Sequence, residues 1–386
     1  MPPPHRRPSV IDTARHFCPH VGCAYRGWLG LSKLRAKGHP SGGPWRQCQC
    51  PSCEGYFLET HGTILHGKRV AVELLGRVLA CLAEGLGIRA TARVFEIAPN
   101  TGIQWLVEAA EHLKAFSASF LCDVHINQLQ LDELYAVLRG VKEGEISAKK
   151  AIKRLERSRH WVWTAIDPES KLLLLIESGP RTLAMAQRVV HQVVGVLAPG
   201  GVPLFLTDGL KEYGTALLPH FGTWRQPERR QANGPLPQLL DAQVVQSSRR
   251  RRFVDVKHRV VFGTLAAVAQ VLAACGWTIN TAFVERLNLD IRQCVAAIGR
   301  RVNTLCQGEA GLRDQLALFQ TYHNFVLPHA SLRQPLPVPE VTNGHGSAKV
   351  WQPCTPAMAA GLTDHVWSLR DVLLFRVPPW PQPQSV

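Results

Sequence analysis

The sequence predicts a multi-domain α+β chain in which a zinc ribbon and a helix-turn-helix precede an α/β domain. Three observations support this order. Five of the eleven cysteines lie between residues 18 and 53. Apolar residues then recur at helical spacing over residues 68–118, with breaks at Gly85 and at Ala98-Pro99-Asn100. From about residue 123, short apolar runs typical of strands alternate with a helical segment, as expected of an α/β domain.

These changes of pattern divide the chain into four regions. We expect a zinc ribbon over residues 1–60, a helix-turn-helix domain over residues 61–122 and an α/β domain over residues 123–335. The last region, residues 336–386, is rich in proline and is expected to be a loosely packed C-terminal extension.

The charge of the chain indicates the kind of partner. Its 386 residues carry a formal charge of +15, from 44 Lys and Arg against 29 Asp and Glu. Such an excess favours a polyanion, and nucleic acid comes first because its phosphates are closely spaced. An anionic membrane surface and a basic protein without a polyanionic partner are the alternatives. Two features indicate where the protein acts. Clustered cysteines favour metal binding over disulfides and so a reducing compartment, and residues 1–17 lack the apolar core of a secretory signal. We therefore expect a cytoplasmic, nucleoid-associated protein.

One apolar segment, residues 260–279, is long enough to span a bilayer. Gly263 and Thr264 divide it, however, into a strand-like HRVVFG and a helix-like TLAAVAQVLAACG that Gly276 closes. Alanine supplies much of its length and drives membrane insertion weakly. A buried strand followed by a core helix is the preferred interpretation, and no membrane partner is expected.

The clustered cysteines have the spacing of a zinc site. Zinc requires four soft ligands in a tetrahedron, and two turn-borne pairs supply them in a ribbon. The two-residue gap of CPSC lets backbone amides point at both sulfurs. The predicted Zn²⁺ ligands are Cys18, Cys23, Cys50 and Cys53. Cys48 could replace Cys50, His20 or His39 could compete, and a set of unligated thiols is the alternative.

The following segment has the pattern of a helix-turn-helix. Arg89–Phe95 form the predicted first helix, Glu96–Asn100 the turn and Thr101–Ala110 the second helix. Side chains at the start of a recognition helix can reach base edges. The candidate DNA-reading residues are Asn100, Thr101 and Gln104. An ordinary helical hairpin is the alternative, but the adjacent cysteines and the basic charge favour DNA.

Three carboxylates stand out by their position in the α/β region. Asp132 lies in the predicted strand QLQLDELY, Asp208 ends the strand LFLTD, and Glu285 opens a helix. Acids from two strands and a helix suit a pair of hard divalent cations, which activate a water or a 3′-hydroxyl for attack at phosphorus. Taken singly, each acid could be a solvated or capping carboxylate. Periodicity does not choose between Asp132 and Glu133, because adjacent strand residues face opposite ways and a central strand is buried on both faces.

Together these pieces resemble the DDE-type transposases of bacterial insertion sequences, closest to the insertion-sequence-one class. The matching segments are CQCPSCEGYFLETHGT, GIRATARVFEIAPNTGIQWL, LDELYAV, FLTDGLKEY, INTAFVERLNLDIRQ and YHNFVLPHASLRQ, in that order. In that class a zinc ribbon and a helix-turn-helix precede an RNase H-like, integrase-type catalytic core. The resemblance implies that residues 123–335 are this core, with an insertion at about residues 222–278, because the interval between Asp208 and Glu285 is longer than in a minimal core of this type.

The resemblance also implies site residues, cofactors and partners. It assigns the catalytic triad, which binds Mg²⁺ or Mn²⁺, to Asp132, Asp208 and Glu285, and it places Arg286 and Asn288 near the metals or the DNA. It implies cleavage and strand transfer at terminal inverted repeats of double-stranded DNA, joining to target DNA, and a homo-oligomer assembled across two element ends.

Two further groups of residues follow from this interpretation. Lys257 and a run of arginines would grip phosphates, and these arginines are Arg249, Arg250, Arg251 and Arg252. His323, His329 and Ser331 match the trailing motif of the class and are interpreted as packing residues or DNA contacts.

Two other functions fit parts of the sequence. A non-catalytic zinc-ribbon and helix-turn-helix regulator with an inactive RNase H-like domain would need only residues 1–120 and the positive charge. A nuclease would hydrolyse DNA without joining strands. The presence of all three acids in suitable contexts disfavours the regulator, because a non-catalytic domain has no chemical need of them.

Overall fold

The structure is a computed structural model that describes residues 16–30, 34–40, 45–136, 161–225, 232–236, 238–249, 252–298, 309–340 and 347–379. The strands are β1 (Arg35–Ala36), β2 (Gln47–Gln49), β3 (Tyr56–Leu58), β4 (Gln128–Tyr135), β5 (Trp161–Ile166), β6 (Leu173–Gly179), β7 (Leu204–Asp208), β8 (Gly222–Arg225), β9 (Ala232–Pro235), β10 (Leu240–Arg249), β11 (Arg252–Phe262), β12 (Gln334–Glu340) and β13 (Lys349–Gln352).

The α-helices within these ranges are α1 (Val72–Ala83), α2 (Ile88–Val94), α3 (Pro99–Phe120), α4 (Leu183–Val196), α5 (Lys211–Phe221), α6 (Leu265–Ala273), α7 (Ala282–Cys294), α8 (Glu309–Thr321), α9 (Pro356–Ala359) and α10 (Leu369–Leu374). A π-helical turn, Tyr322–Val326, continues α8, and a 3₁₀ turn follows at Ala330–Leu332.

A six-stranded mixed sheet lies at the centre, in the order β11-β10-β7-β4-β5-β6. Strands β4, β5 and β6 pair antiparallel, whereas β7 and β10 lie parallel to β4 on its other side. This mixed arrangement is compatible with an RNase H-like core. Strand β10 falls inside the segment interpreted as an insertion, residues 222–278, yet Leu240–Val244 pair with β7. That part of the segment therefore belongs to the central sheet.

Helices cover both faces of the sheet. On one face, α4 and α5 pack on Leu129 and Leu131 of β4 and on Trp163, through residues such as Val189 and Leu217. On the other face, α7 and α8 pack on Leu134 and Val162, and α6 covers β7 and β10. Because β4 is covered on both faces, even its polar residues Gln128 and Gln130 are fully buried.

The apolar segment at residues 260–279 forms the end of β11 and helix α6, as predicted, but the predicted burial is wrong: β11 is an edge strand that is half-buried at this end, and only Val268 and Leu272 of α6 are buried. Thr264 caps α6 by accepting a hydrogen bond from the N–H of Ala267, and Gly276 follows the helix with φ at +68°. Throughout the part of the chain that the structure describes, no helix combines the length and apolarity needed to cross a bilayer.

The segment predicted to be a helix-turn-helix forms helices α2 and α3, with boundaries that differ from the prediction. Helix α3 starts at Pro99, which suits a first helical turn, so Asn100 lies inside the helix and not in the turn. The helix also runs ten residues beyond the predicted end at Ala110, to Phe120. The physical reason is that Leu113 and Phe116 continue its apolar stripe and are fully buried in the central core.

This core joins regions that the sequence separates. Leu75 from α1 and Leu113 from α3 belong to the same buried cluster as Leu131 of the sheet. Residues 61–122 therefore pack as part of the structure around the sheet, without an apolar core of their own.

The C-terminal region, predicted to be loosely packed, contributes aromatic side chains to the same core. Trp367 and Phe375 contact Phe116 edge-to-face, with ring centroids 5.2 and 5.1 Å away. The backbone carbonyl of Val372 is 2.8 Å from Nε2 of His112 on α3. The prediction was wrong for this segment because proline-rich composition disfavours regular elements but does not prevent burial of the apolar residues between the prolines.

The trailing motif has a structural role at the outer edge of β6. Asn324 is fully buried, and its side chain accepts from the N–H of Leu173 and donates to the carbonyl of Leu173, both at 2.9 Å. His323 Nε2 lies 3.0 Å from the carbonyl of Lys171, and Gln320 donates to the carbonyls of Leu173 and Leu174. These side chains replace the neighbouring strand that an edge strand lacks.

We predict that Asn324→Ala destabilises the protein by about 2–3 kcal/mol, because the buried N–H of Leu173 loses its acceptor. Gln320→Ala is the matched control, since Gln320 only donates to carbonyls that retain other acceptor capacity, and it should cost less than about 1 kcal/mol. Urea denaturation followed by circular dichroism measures both values. Equal free energies of unfolding for Asn324→Ala and the wild type would contradict this role.

Candidate active site and metal centres

The first two acids lie side by side at one edge of the sheet. Strands β4 and β7 are parallel neighbours, and Leu131 pairs with Thr207. The next residue in each strand is Asp132 or Asp208, so both carboxylates emerge where β7 ends. Asp208 is held there by the N–H of Leu210, which donates to its Oδ1 at 3.1 Å.

Helix α7 brings Glu285 to the same edge. Gln130 fixes the start of this helix, because its side chain accepts from the N–H of Val284 and donates to the carbonyl of Asn280, both at 3.0 Å. Thr281 then donates to Glu285 at 2.9 Å. Asp132, Asp208 and Glu285 consequently line one cavity of about 360 Å³.

Asn288 lies one helical turn beyond Glu285 and contacts the first acid of the triad. It is only 9% exposed, and its Nδ2 donates to Oδ2 of Asp132 at 2.7 Å. The N–H of Glu133 donates to the other oxygen of Asp132. Asn288 therefore orients the carboxylate of Asp132 through this hydrogen bond. Arg286, on the next face of α7, is exposed and forms an ion pair with Asp290 at 3.3 Å.

Glu133 projects from the opposite face of β4 and is paired differently. Nε and Nη2 of Arg181 donate to its Oε1, and the hydroxyl of Tyr213 donates to its Oε2 at 3.3 Å. One carboxylate oxygen each of Asp132, Glu133 and Asp208 lies within 4.8 Å of the others. The alternation of the strand separates the roles, since Asp132 faces α7 and Glu133 faces Arg181.

Burial and the neighbouring acids raise the pKa of Asp132. Burial, the carboxylate of Asp208 and, more weakly, that of Glu285 raise the pKa of Asp132 to about 6, against the opposing effect of its hydrogen bonds. Burial likewise raises the pKa of Asp208, and Arg181 partly offsets it. Hard divalent cations bind to closely spaced carboxylate oxygens whose negative charge is not balanced by neighbouring cationic side chains. Asp132 and Asp208 of this cavity, with Glu133 close to both, could therefore hold Mg²⁺ or Mn²⁺, and Glu285 lines the same cavity.

The N-terminal cysteines form a second cluster that could hold a metal. Cys18, Cys23, Cys50 and Cys53 each bring a sulfur within 4.8 Å of the other three. Sγ of Cys18 is 3.7 Å from that of Cys53, and Sγ of Cys23 is 3.6 Å from that of Cys50. Four sulfurs at about 2.3 Å from a tetrahedral zinc ion are separated by about 3.8 Å, whereas a disulfide requires about 2.05 Å. The geometry fits Zn²⁺.

The surplus cysteine and the competing histidine lie outside this quartet. Cys48 is fully buried in β2, opposite Phe57 of β3, and burial raises its pKa to about 11. His20 packs its ring edge-on to Phe57 and against Gly55. Cys48 therefore belongs to the small core beneath the cluster, and His20 packs beside it.

The candidate DNA-reading residues lie elsewhere on the surface. Asn100 and Gln104 are exposed on the first turns of α3, Thr101 is half-buried between them, and none of the three lines the cavity of the acids. Gln104 donates to Glu108, one turn further along the helix, at 3.0 Å.

The arginine run lies on a hairpin that extends past the sheet. Strand β10 pairs with β7 only as far as Val244, opposite Asp208, and then continues with β11 to a tip where Arg249 pairs with Arg252. At about 3.3 Å per residue this arm extends about 15 Å beyond the acids. Arg250 and Arg251 lie outside the described residues, while Lys257, on β11, is exposed. The arm begins at the same edge of the sheet as the cavity.

His329 and Ser331 line a separate cavity of about 300 Å³ on another face of α7, together with Lys171 and Arg286. The hydroxyl of Ser331 lies 2.9 Å from Nδ1 of His329, and His323 also lines this cavity.

Sequence reasoning missed three residues of the site: Gln130, Arg181 and Tyr213. Gln130 was detectable in principle, because it shares a strand face with Asp132 and is polar where apolar residues dominate. Arg181 and Tyr213 carry no local signal, since they reach Glu133 from a loop and a helix that are distant in the sequence.

Comparisons with known proteins add little to this geometry. No family model matches the chain, and no curated protein matches it. Among solved structures, the crystal structure of the Mos1 strand transfer complex is similar to it with a TM-score of 0.16 and 12% sequence identity, over 62% of this chain and 82% of that chain. A likeness at this level carries no argument about the fold or the function.

Proposed function

We propose that this protein is a DNA transposase of the DDE type that cleaves DNA strands at the ends of an insertion sequence and transfers them to target DNA. The observation that supports it best is the convergence of Asp132, Asp208 and Glu285 on one cavity at the edge of a mixed sheet. Residues from two parallel strands and a helix meet there, which is the arrangement that two-metal phosphoryl transfer needs.

In this proposal the three acids hold Mg²⁺ or Mn²⁺, which would lower the pKa of the attacking hydroxyl and neutralise the departing oxygen. The protein supplies orientation. Asn288 fixes the rotamer of Asp132, Thr281 fixes that of Glu285, and Gln130 holds α7 against β4. Because these hydrogen bonds already hold the side chains in place, the site needs little reorganisation when the phosphate binds.

DNA binding is assigned to surfaces on the remaining elements. The arm, with Arg249–Arg252 and Lys257, would follow the phosphates next to the cavity, and Arg286 would contact them beside α7. Asn100, Thr101 and Gln104 would read bases in the terminal repeat. A zinc ion on the cysteine quartet would stabilise the N-terminal region, and a homo-oligomer would hold two element ends.

We also propose the division of the chain that the resemblance implies. Residues 1–60 would be the zinc ribbon, residues 61–122 the DNA-binding helices, residues 123–335 the catalytic core and residues 336–386 a C-terminal extension. The arm of β10 and β11 would then be the functional part of the segment at residues 222–278.

The test is incubation of the purified protein with a supercoiled plasmid that carries its gene and the flanking DNA, in Mg²⁺ or in EDTA. We expect nicks at discrete positions that border the gene, in Mg²⁺ only, and joined products when a second plasmid is present. Nicks without joining would favour the nuclease, and specific binding without any nicking would favour the regulator.

A further inference from the structure

Arg181 is held beside the candidate active site by three different elements. It lies between β6 and the cap of α4, and its side chain crosses to β4 to donate two hydrogen bonds to Glu133. Its guanidinium carbon is 5.1 Å from the centre of the Trp161 ring on β5, and Nη2 is 3.8 Å from Oδ2 of Asp208. A flexible side chain is thereby confined to one position.

The donors of this guanidinium are only partly used. Arginine has five N–H donors in a fixed fork. Nε and Nη2 point at Glu133 and Asp208, and Nη1 has no hydrogen-bond partner within the described ranges. The side chain of Arg181 is 39% exposed while that of Glu133 is 1% exposed, so the carboxylate is enclosed and the guanidinium is partly open to solvent.

Glu133 and Tyr213 form the support for this arrangement. A buried glutamate next to two other acids is unfavourable unless a cation pairs with it, and here both of its oxygens are occupied. Arg181 takes Oε1, and the fully buried Tyr213 takes Oε2. Glu133 is thus the anchor of an arginine and does not face the cavity of the triad.

The balance of charge indicates what the free end could bind. The four carboxylates and one guanidinium of this edge leave a formal charge of −3. Two divalent cations would change this to +1, which a single phosphodiester would neutralise. The guanidinium of Arg181 is 3.8 Å from Asp208. A phosphate bound over the triad would therefore have its non-bridging oxygens close to this guanidinium, whose planar N–H donors suit such oxygens.

We propose that Arg181 is a substrate-binding residue that donates from Nη1 to a non-bridging oxygen of the DNA phosphate at the triad, with Glu133 as its anchor. This inference rests on the proposed function and adds a specific contact to the substrate. It also gives the acid adjacent to Asp132 in sequence a role as the partner of an arginine.

The test measures binding instead of turnover. The plasmid experiment maps the phosphate that is cut, and short duplexes are then made with either the natural phosphate or an uncharged methylphosphonate at that position. Affinities are measured by fluorescence anisotropy in Ca²⁺, which allows DNA to bind without cleavage. We expect the affinity lost on removing this charge to be about tenfold larger for the wild type than for Arg181→Ala.

Arg188→Ala is the matched control. Among the described residues, Arg188 also pairs with a glutamate, Glu177, at 3.2 Å, but it has no ion pair with an acid of the triad, whereas Arg181 pairs with Asp208. This variant should lose as much affinity on methylphosphonate substitution as the wild type does. Because Arg181→Ala leaves Glu133 buried without its cation, the double variant Arg181→Met with Glu133→Gln is measured too, and it should behave as Arg181→Ala.

The outcomes separate the inference from the function on which it rests. If Arg181→Ala and the double variant lose as much affinity as the wild type, Arg181 does not contact this phosphate and the inference is overturned, while the proposed function stands. A wild-type protein that nicks no DNA would overturn the proposed function and the inference with it.

Discussion

Replacing Asp132 with asparagine should abolish strand cleavage and at the same time make the metal-free protein more stable. The loss of cleavage is expected to be on the order of 10³-fold or more, because an amide is a poor ligand for a hard cation and does not balance its charge. The gain in stability follows from the electrostatics of the cavity. Burial and the carboxylates of Asp208 and Glu285 raise the pKa of Asp132 to about 6, so the folded state favours the neutral form.

The sign and the pH range of this effect follow from that pKa. The folded pKa lies above the ordinary value of 3.8, so the stabilising contribution of protonated Asp132 is complete below pH 3.8 and is lost as the pH rises through 6. An ionised Asp132 at pH 8 therefore costs the metal-free protein on the order of 1–3 kcal/mol. Asparagine avoids this cost, and its amide can donate to Oδ1 of Asn288, which has no partner in the described structure.

The measurement is the free energy of unfolding in urea and EDTA at pH 8 and at pH 4, beside plasmid nicking in Mg²⁺. Asp132→Asn should be more stable than the wild type at pH 8 and nearly equal to it at pH 4. The control is Asp167→Asn. Asp167 is also buried, but it accepts hydrogen bonds from the N–H of Glu169 and from the N–H and hydroxyl of Ser170 in the turn between β5 and β6.

Asp167→Asn should therefore destabilise the protein by about 1–2 kcal/mol and leave the nicking activity of the folded fraction unchanged. If Asp132→Asn still nicked DNA, Asp132 would not belong to the catalytic triad. If it were less stable than the wild type in EDTA at pH 8, the ionised carboxylate of Asp132 would not be the destabilising group that its raised pKa indicates.

Replacing Cys50 with alanine should remove zinc from the protein and unfold its N-terminal region. Structural zinc contributes roughly 10 kcal/mol or more to the folding of small metal-binding units, and a site with three cysteines holds it far more weakly. This region is small, and the cluster beneath it contains few buried apolar residues besides the cysteines themselves, so little else stabilises it. We expect one zinc ion per wild-type chain and none for Cys50→Ala.

Cys48→Ala is the matched control, because it removes a buried thiol without removing a predicted zinc ligand. Cys48 is as completely buried as Cys50 and lies in the preceding strand, but its sulfur is not part of the quartet. It should retain zinc and lose only about 1 kcal/mol of stability. Zinc release measured with a metallochromic dye, together with limited proteolysis, distinguishes the two variants.

The Cys50→Ala variant, which lacks zinc, should lose specific DNA binding, whereas its triad should bind Mn²⁺ as in the wild type. Zinc retained by Cys50→Ala, or lost from Cys48→Ala, would show that the ligand set is different. Specific binding that survived the loss of zinc would mean that the N-terminal region does not contact the terminal DNA.

Local sequence patterns predict some elements of this fold correctly. Strands β4 to β7 and helix α4 occur where apolar runs and helical spacing predicted them, because short-range periodicity and turn residues decide these elements. The position of Asp208 at the end of β7 was predictable for the same reason. The quartet of cysteines was predictable because its spacing is a property of two turns.

Other features depended on contacts between residues distant in the sequence. Strand β10 was interpreted as part of an insertion, and its pairing with β7 follows from a parallel register that no local pattern encodes. The burial of Trp367 against Phe116 likewise joins residues some 250 positions apart. Local composition gave the opposite expectation for the C-terminal region, because it reports which residues are present and not which surface they cover.

The sequence by itself determined strands β4 to β7 and helix α4, which residue types could bind metals, and that the chain would favour a polyanion, since these properties follow from local pattern and net charge. Only the tertiary structure decided which of the two adjacent acids, Asp132 or Glu133, faces Glu285 and which faces an arginine. The physical reason is that a central strand presents two equivalent buried faces, and they become different only when α7 packs on one and Arg181 reaches the other.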